Sequence, residues 1–222
     1  MKFFGLSSFD ESDIPIESIE FLTREERSKF VYDRFKKYFV GRVLDVGCDK
    51  APLRVIIGAR DYCGLDLGED ADIRQDLNSA KTLPFTDRSF STVMAIETLE
   101  HIDQLHYLFA ECVRVADQYL IVSLPNCWRD ARRPIERGIG RFAHYGLPVS
   151  PPSDRHRWFF NFSEGVAFLR GMSLVYSLEL CELFGTKLPR SSFLTMMRKL
   201  RYGGVAYRNR YASTVWAVFK KG

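Results

Sequence analysis

Arg42-Val43-Leu44-Asp45-Val46-Gly47-Cys48-Asp49-Lys50-Ala51-Pro52-Leu53 decides how this chain folds. Val43, Leu44 and Val46 make a short apolar run rich in β-branched side chains, the pattern of a buried strand in a parallel sheet. Asp45-Val46-Gly47 then turns the chain at the strand's carboxyl end, where an open α/β sheet receives a nucleotide-like ligand. Roughly 20 residues further on, Tyr62-Cys63-Gly64-Leu65-Asp66 is a second short run ending in a carboxylate. A carboxylate at that tip is placed to accept hydrogen bonds from two ribose hydroxyls.

More pieces follow in order: Asp76-Leu77, Leu83-Pro84-Phe85, Ser89-Phe90-Ser91-Thr92-Val93 and Glu97-Thr98-Leu99-Glu100-His101-Ile102. Taken together, these motifs resemble a class I S-adenosylmethionine-dependent methyltransferase of the small bacterial type 11 kind. The resemblance is close over residues 40–125 and looser elsewhere. It implies an α/β fold, a Rossmann-like doubly wound and mostly parallel seven-stranded sheet with the last strand antiparallel and helices on both faces. It implies S-adenosyl-L-methionine as cofactor, with Asp45, Gly47, Cys48 and Asp49 at the first turn and Asp66 and Leu67 at the ribose. Asp76 and Leu77 would meet the adenine, unless Asp76 simply opens a turn with Asn78 and Ser79. Glu97 would stand at the rim where methyl group and acceptor meet.

One departure lies at the centre. The resembled turn is Asp-x-Gly-x-Gly-x-Gly, and here the second and third glycines are Asp49 and Ala51. Glycine admits positive φ and lets the backbone approach a ligand closely; Asp is among the next-best residues for a left-handed conformation. A nicotinamide enzyme fits less well, because Gly47 stands without the other glycines such a turn needs.

The chain has 222 residues, 46% hydrophobic and 27% charged, enough for one domain with a sizeable core. No apolar run approaches the roughly 20 residues of a membrane span, and the start of the chain lacks a signal-peptide core, so a cytoplasmic protein is expected. Five scattered cysteines show no C-x-x-C spacing, and no metal-ligand cluster is apparent along the sequence. Net charge is +4, unevenly spread: from Gly185 to Gly222 there are nine Lys or Arg residues and no acid. That tail suits an anionic substrate, a nucleic acid or a membrane surface, or is a solvated basic face.

A single domain over residues 1–222 divides into four stretches. Residues 1–40 begin with a loose leader to residue 15, and a helical pattern starts at Ser18 and stops at Gly41. Residues 41–125 form the cofactor core, with a crossover helix from Pro52 to Gly58, a third strand over Ala71–Leu77, a helix over Leu105–Val115 and a strand over Gln118–Asn126. Residues 126–162, rich in Arg, Pro and aromatics, are a proline-broken functional loop assigned to acceptor recognition. Within it, Tyr145-Gly146-Leu147-Pro148 and Asp154-Arg155-His156-Arg157-Trp158-Phe159-Phe160 resemble small bacterial methyltransferases of cell-surface glycan pathways. Residues 163–222 hold a helix capped by Ser163 and ended by Gly171, strands near Leu174–Leu180 and Tyr211–Phe219, and a basic amphipathic helix around Phe193–Leu200. That helix suits a lipid surface or a partner subunit, or packs onto the body.

His101, His144 and His156 are the candidate general bases, since an imidazole titrates near neutral pH. The reaction expected from the resemblance is methyl transfer to a small-molecule or glycan acceptor. Two rivals stand beside it: an RNA methyltransferase using the basic tail, and a non-catalytic binding or scaffold protein on the same fold.

Overall fold

In the computed structural model, which describes residues 14–58, 60–142, 144–152 and 154–222, eight strands form one sheet with helices around it. In chain order they are β1 (Ile16–Ser18), β2 (Val43–Val46), β3 (Tyr62–Asp66), β4 (Ile73–Arg74), β5 (Phe90–Ile96), β6 (Ala116–Pro125), β7 (Glu179–Lys187) and β8 (Ala212–Lys220). The helices are α1 (Arg24–Phe35), α2 (Leu53–Ile57), α3 (Leu105–Val115), α4 (Cys127–Arg137), α5 (Phe162–Val175), α6 (Ser192–Tyr202) and α7 (Gly204–Tyr211). The strand order is β1-β7-β8-β6-β5-β2-β3-β4. β8 runs antiparallel to both β6 and β7, and every other pair is parallel. This is the doubly wound, mostly parallel sheet with an antiparallel last strand that the sequence leads one to expect.

All four residues of β2 are buried, as a strand with helices on both faces must be. Its alternate side chains feed two cores. Leu44 and Val46 join Phe109, Leu120, Leu169 and Phe219 on the side of α3 and α5. Val43 joins Val31, Phe35, Met94, Ile121, Phe184 and Trp216 on the side of α1 and α2. β2 pairs with Tyr62–Leu65 on one flank and Thr92–Ala95 on the other, so Gly47, Asp66 and Glu97 all emerge at one end of the sheet.

Several expected boundaries move. The eighth strand is β1, pairing residue for residue with Gly185–Lys187, so the helix does not start at Ser18. It starts instead after Thr23, whose side chain accepts the Glu26 N–H at 3.2 Å, the usual way to satisfy a free amide of a first turn. It ends at Phe35, and a single 3-10 turn to Tyr38 precedes Gly41. The leader to residue 15 lies almost wholly outside the described residues. Residues 127–137, expected as loop, form α4 despite Pro134 in its interior, ending at left-handed Gly138. The cap of α5 is Asn161 rather than Ser163: Asn161 and Glu164 bond each other's backbone N–H at 2.9 Å, a reciprocal capping box. That helix runs through Gly171 because Leu169, Met172 and Ser173 stay buried along it, and the strand expected at Leu174 starts at Glu179.

The amphipathic helix expected near Phe193 is α6, and none of its residues is buried. Among the described residues no helix is long and apolar enough to cross a membrane.

Trp216 is fully buried, stacked on Phe184 with the rings 9° from parallel and met edge-on by Phe30. Trp216→Ala is expected to cost about 3–5 kcal/mol in urea unfolding. A loss below about 1 kcal/mol would show that this face of the sheet is not a packed core.

Candidate functional site

The chain leaves β2 through three residues with positive φ: Gly47 (+78°), Asp49 (+50°) and Ala51 (+48°). Gly47 has no alternative, because a Cβ there would stand 2.4 Å from the Thr98 side chain. Thr98 is itself fixed, its hydroxyl donating to the Val46 carbonyl at 3.0 Å. Asp49 and Ala51 adopt the left-handed conformation that glycine would take, and the Ala51 N–H closes the turn on the Cys48 carbonyl at 2.8 Å. Cys48 is buried against the turn, and burial pushes its thiol up to about 12. Both positions that lack glycine therefore keep a backbone conformation glycine would favour.

The turn is tied to the next strand. Asp66 accepts the Asp49 N–H on Oδ2 at 3.0 Å and the Gly68 N–H on Oδ1 at 3.1 Å. Each oxygen keeps a free lone pair, and the carboxylate lines the main cleft. Leu67 beside it is largely exposed. Asp76 accepts the Asn78 N–H at 2.9 Å, so it does open a turn, while Asp76 and Leu77 also line the cleft. Asn78 bridges to the next motif, donating to the His101 carbonyl and accepting the Asp103 N–H.

Helix α1 lies over this opening through two ion pairs, Arg24 with Asp49 and Arg27 with Glu97. Glu97 has φ +49° and takes a second hydrogen bond from the Thr214 hydroxyl at 2.9 Å. The residue that replaces a glycine in the turn thus anchors the helix above it. Arg24, Arg27, Ser28 and Val31 of this helix all line the cleft.

The three candidate bases, distant in sequence, converge at the far end. His144 and His156 stack with ring centres 4.3 Å apart and planes 8° from parallel, and His101 meets His156 edge-on at 4.6 Å. Asp154 joins His101 Nδ1 at 3.1 Å and His144 Nδ1 at 3.5 Å. The Tyr145 hydroxyl is 2.8 Å from His156 Nδ1. Burial lowers the His101 pKa against the pull of Asp154. Burial, then His101 and His144, takes His156 down to about 3, so it is neutral at physiological pH. Glu100, in the motif next to His101 and given no role there, is 1% exposed, and burial lifts its carboxyl well above the usual range. Glu100, Asp154 and Tyr145 are the site residues that sequence reading misses. All three sit in quoted strings, but a residue's place in such a string does not reveal that it meets the histidines.

The cleft has a volume of ≈ 680 Å³, within the range of small-molecule sites. Arg129 and Asp130 line both this cleft and a smaller cavity of ≈ 150 Å³ walled by Arg132, Arg133, Lys187, Arg190, Arg198 and Arg210. The residues present fit a nucleoside-bearing cofactor: a left-handed turn that clears the strand end, and a carboxylate with lone pairs to spare.

Residues 44–119 match the family model for a methyltransferase domain. No curated protein sequence matches the chain. Among solved structures the fold is similar to the methyltransferase domain of bacterial CtHen1-C (TM-score 0.56, 16% identity, 89% of this chain and 98% of that one). It is also similar to an S-adenosylmethionine-dependent methyltransferase from Archaeoglobus fulgidus (0.54, 18%, 90% and 96%). A third similar structure is that of the cyclase SpnF (0.54, 16%, 94% and 87%). Residues 44–119 thus match a methyltransferase domain, and the fold is the one shared by these methyltransferase structures.

Asp45, beneath the turn, is buried and accepts the Tyr62 hydroxyl at 2.7 Å; burial raises its carboxyl to about 6. Its folded pKa exceeds its unfolded one, so the folded state holds the extra proton and the wild type loses stability as pH rises from about 4 to about 6. Asp45→Asn keeps an acceptor for Tyr62 and carries no such charge. The variant's stability relative to wild type should therefore climb across that window, by about 1–3 kcal/mol, and level off above about pH 7. Chemical denaturation from pH 4 to 8 tests this; a difference independent of pH counts against a desolvated Asp45.

Proposed function

We propose that this chain transfers the methyl group of S-adenosylmethionine to a small-molecule or glycan acceptor bearing an anionic group, and that it does so in the cytoplasm. One observation carries the reading. A single cleft has ribose- and adenine-type groups, Asp66 and Asp76, on one wall and the histidine cluster on another, and shares Arg129 with an arginine-lined cavity. Five free cysteines agree with a reducing compartment.

S-adenosylmethionine supplies a methyl group already activated on a sulfonium. The chain's own task is then to bind, orient and exclude water. Asp66 takes the two ribose hydroxyls, and its backbone donors hold it ready for them. Asp76 and Leu77 take the adenine, while the turn from Asp45 to Asp49 borders the amino-acid end. Helix α1, pinned by Arg24 and Arg27, covers that side of the cleft. Holding donor and acceptor in line supplies roughly 7–11 kcal/mol of barrier lowering in favourable cases. An oxygen acceptor must also lose a proton, and His101, His144 and His156, which line the same cleft, are the imidazoles offered for it. His156, with its pKa near 3, is a poor proton acceptor at neutral pH. The acceptor's anionic group is held by Arg129 and the arginines beyond it, whose planar forks suit phosphate or carboxylate.

Thermal unfolding with S-adenosylmethionine or S-adenosylhomocysteine tests the first half. Ligand at 100 times its dissociation constant adds about 2.7 kcal/mol, a midpoint rise of roughly 5–10 °C for a chain of this size. Asp66→Ala is expected to remove the rise. No rise at millimolar ligand would instead make this a scaffold on the same fold. For the acceptor half, Arg129→Ala is expected to raise KM for a phosphate- or carboxylate-bearing acceptor about tenfold with kcat little changed; equal use of neutral acceptors would overturn it.

A further inference from the structure

Spacing along the sequence shows no metal site, yet among the described residues the fold assembles a set of donors. One ligand atom each from Glu100, His101 and His156 lies within 4.8 Å of the others. Glu100 Oε1 and His101 Nε2 are 3.8 Å apart, too far for a hydrogen bond. Two ligands of one ion, each about 2.0–2.1 Å from it, stand roughly 3–4 Å apart.

An independent observation points to a ligand. The Glu100 side chain is 99% withdrawn from solvent, and its Oε2 has no hydrogen-bond partner. Buried carboxylates are as a rule paired, hydrogen-bonded or bound to a metal. Both imidazoles, moreover, have Nδ1 already engaged. His101 Nδ1 sits 3.2 Å from the Arg155 carbonyl and 3.1 Å from Asp154, and His156 Nδ1 sits 2.8 Å from the Tyr145 hydroxyl. Metal-bound imidazoles are oriented in this way, with the other ring nitrogen on a carboxylate, carbonyl or similar group. The two segments are also clamped together: the Arg157 N–H donates to the Glu100 carbonyl at 2.7 Å, and Trp158 Nε1 donates to the Ile102 carbonyl at 2.8 Å.

We propose that Glu100, His101 and His156 form a binding site for one divalent first-row transition ion at the acceptor end of the cleft. Two imidazole nitrogens and one carboxylate oxygen suit Zn²⁺ or Mn²⁺, and three protein ligands leave a coordination position open, as in catalytic sites. The consequence for chemistry rests on the methyltransferase reading. An acceptor hydroxyl at the open position loses its proton to solvent more readily. Its oxygen lone pair then forms the bond to the methyl carbon while the carbon–sulfur bond breaks and its electron pair stays on sulfur. The acceptor class is thereby narrowed to oxygen nucleophiles, and His101 and His156 serve as ligands rather than as bases.

The test uses the full chain, stripped with a chelator, dialysed and titrated calorimetrically with Zn²⁺ or Mn²⁺ alone. One ion per chain is expected, with affinity falling at least tenfold in Glu100→Gln and in His156→Ala, and 10- to 100-fold in Tyr145→Phe. No uptake at 1 mM metal, or uptake unchanged in both ligand variants, overturns the site. Should either ligand variant fail to fold, pulsed EPR of the Mn²⁺-loaded wild type reads the ligands directly: coupling to imidazole nitrogen is expected, and its absence overturns the assignment. The S-adenosylmethionine thermal shift is measured on the same samples. A shift without metal uptake sinks the metal site alone; uptake without a shift upholds the site and sinks the methyl-donor reading.

Discussion

How the chain leaves β2 constrains everything at the site. Three left-handed residues within five, at 47, 49 and 51, carry the backbone from β2 towards α2. Only the first is glycine. Left-handed backbone at a residue with a side chain costs on the order of 1–3 kcal/mol, and it persists where neighbours over-determine it. Here they do: Asp66 holds the Asp49 amide, the Cys48 carbonyl holds that of Ala51, and Thr98 blocks any side chain at Gly47. Asp49 also gains a task that glycine could not perform, since its carboxylate meets Arg24 on α1. Turn and covering helix are therefore one mechanical unit.

Much of this was legible in residues 40–125 because local pattern and final environment agree there. The apolar spacing of Leu105, Leu108, Phe109, Cys112 and Val113 marks a helix face, and all five are buried in α3, together with Glu111 and Val115. Asp66 stands at the tip of a short apolar run, and the run is β3. What escaped was long-range or reciprocal. Nothing within Ile16–Ser18 signals a strand; its partner is Gly185–Lys187, and only the completed sheet creates the pairing. Asn161 outcompetes Ser163 as cap because Glu164 answers it from the right distance. The three histidines were visible as residue types, but their convergence depends on a loop that returns across the 3-10 turn at Leu99–His101, and Glu100 draws its meaning from that return.

Charge is arranged in two zones. Carboxylates dominate the floor of the cleft, and the most deeply buried of them, Asp45 and Glu100, are kept from ionising at their usual pH by lack of water. Arginines dominate its mouth on the side of α4 and α7, where Glu136 pairs with both Arg132 and Arg210. Low-dielectric walls around opposite zones focus the field between them. A ligand with a cationic centre and an anionic arm has a defined direction in such a field before it makes any close contact.

The two outermost strands of the sheet are its shortest: three residues in β1 and two in β4. An unpaired strand edge is a template on which another chain can add itself, and its reach scales with the row of free backbone groups it offers. Each rim strand covers only part of its neighbour: β1 pairs with Gly185–Lys187 of β7 and β4 with Leu65 and Asp66 of β3, whereas β6 and β8 have a strand on either side. The stretch of β7 left without an outer strand carries Glu179 and Glu182, the latter paired with Arg34 and Lys37, and charge along an open edge guards a crowded solution of this protein against sheet-to-sheet polymerisation.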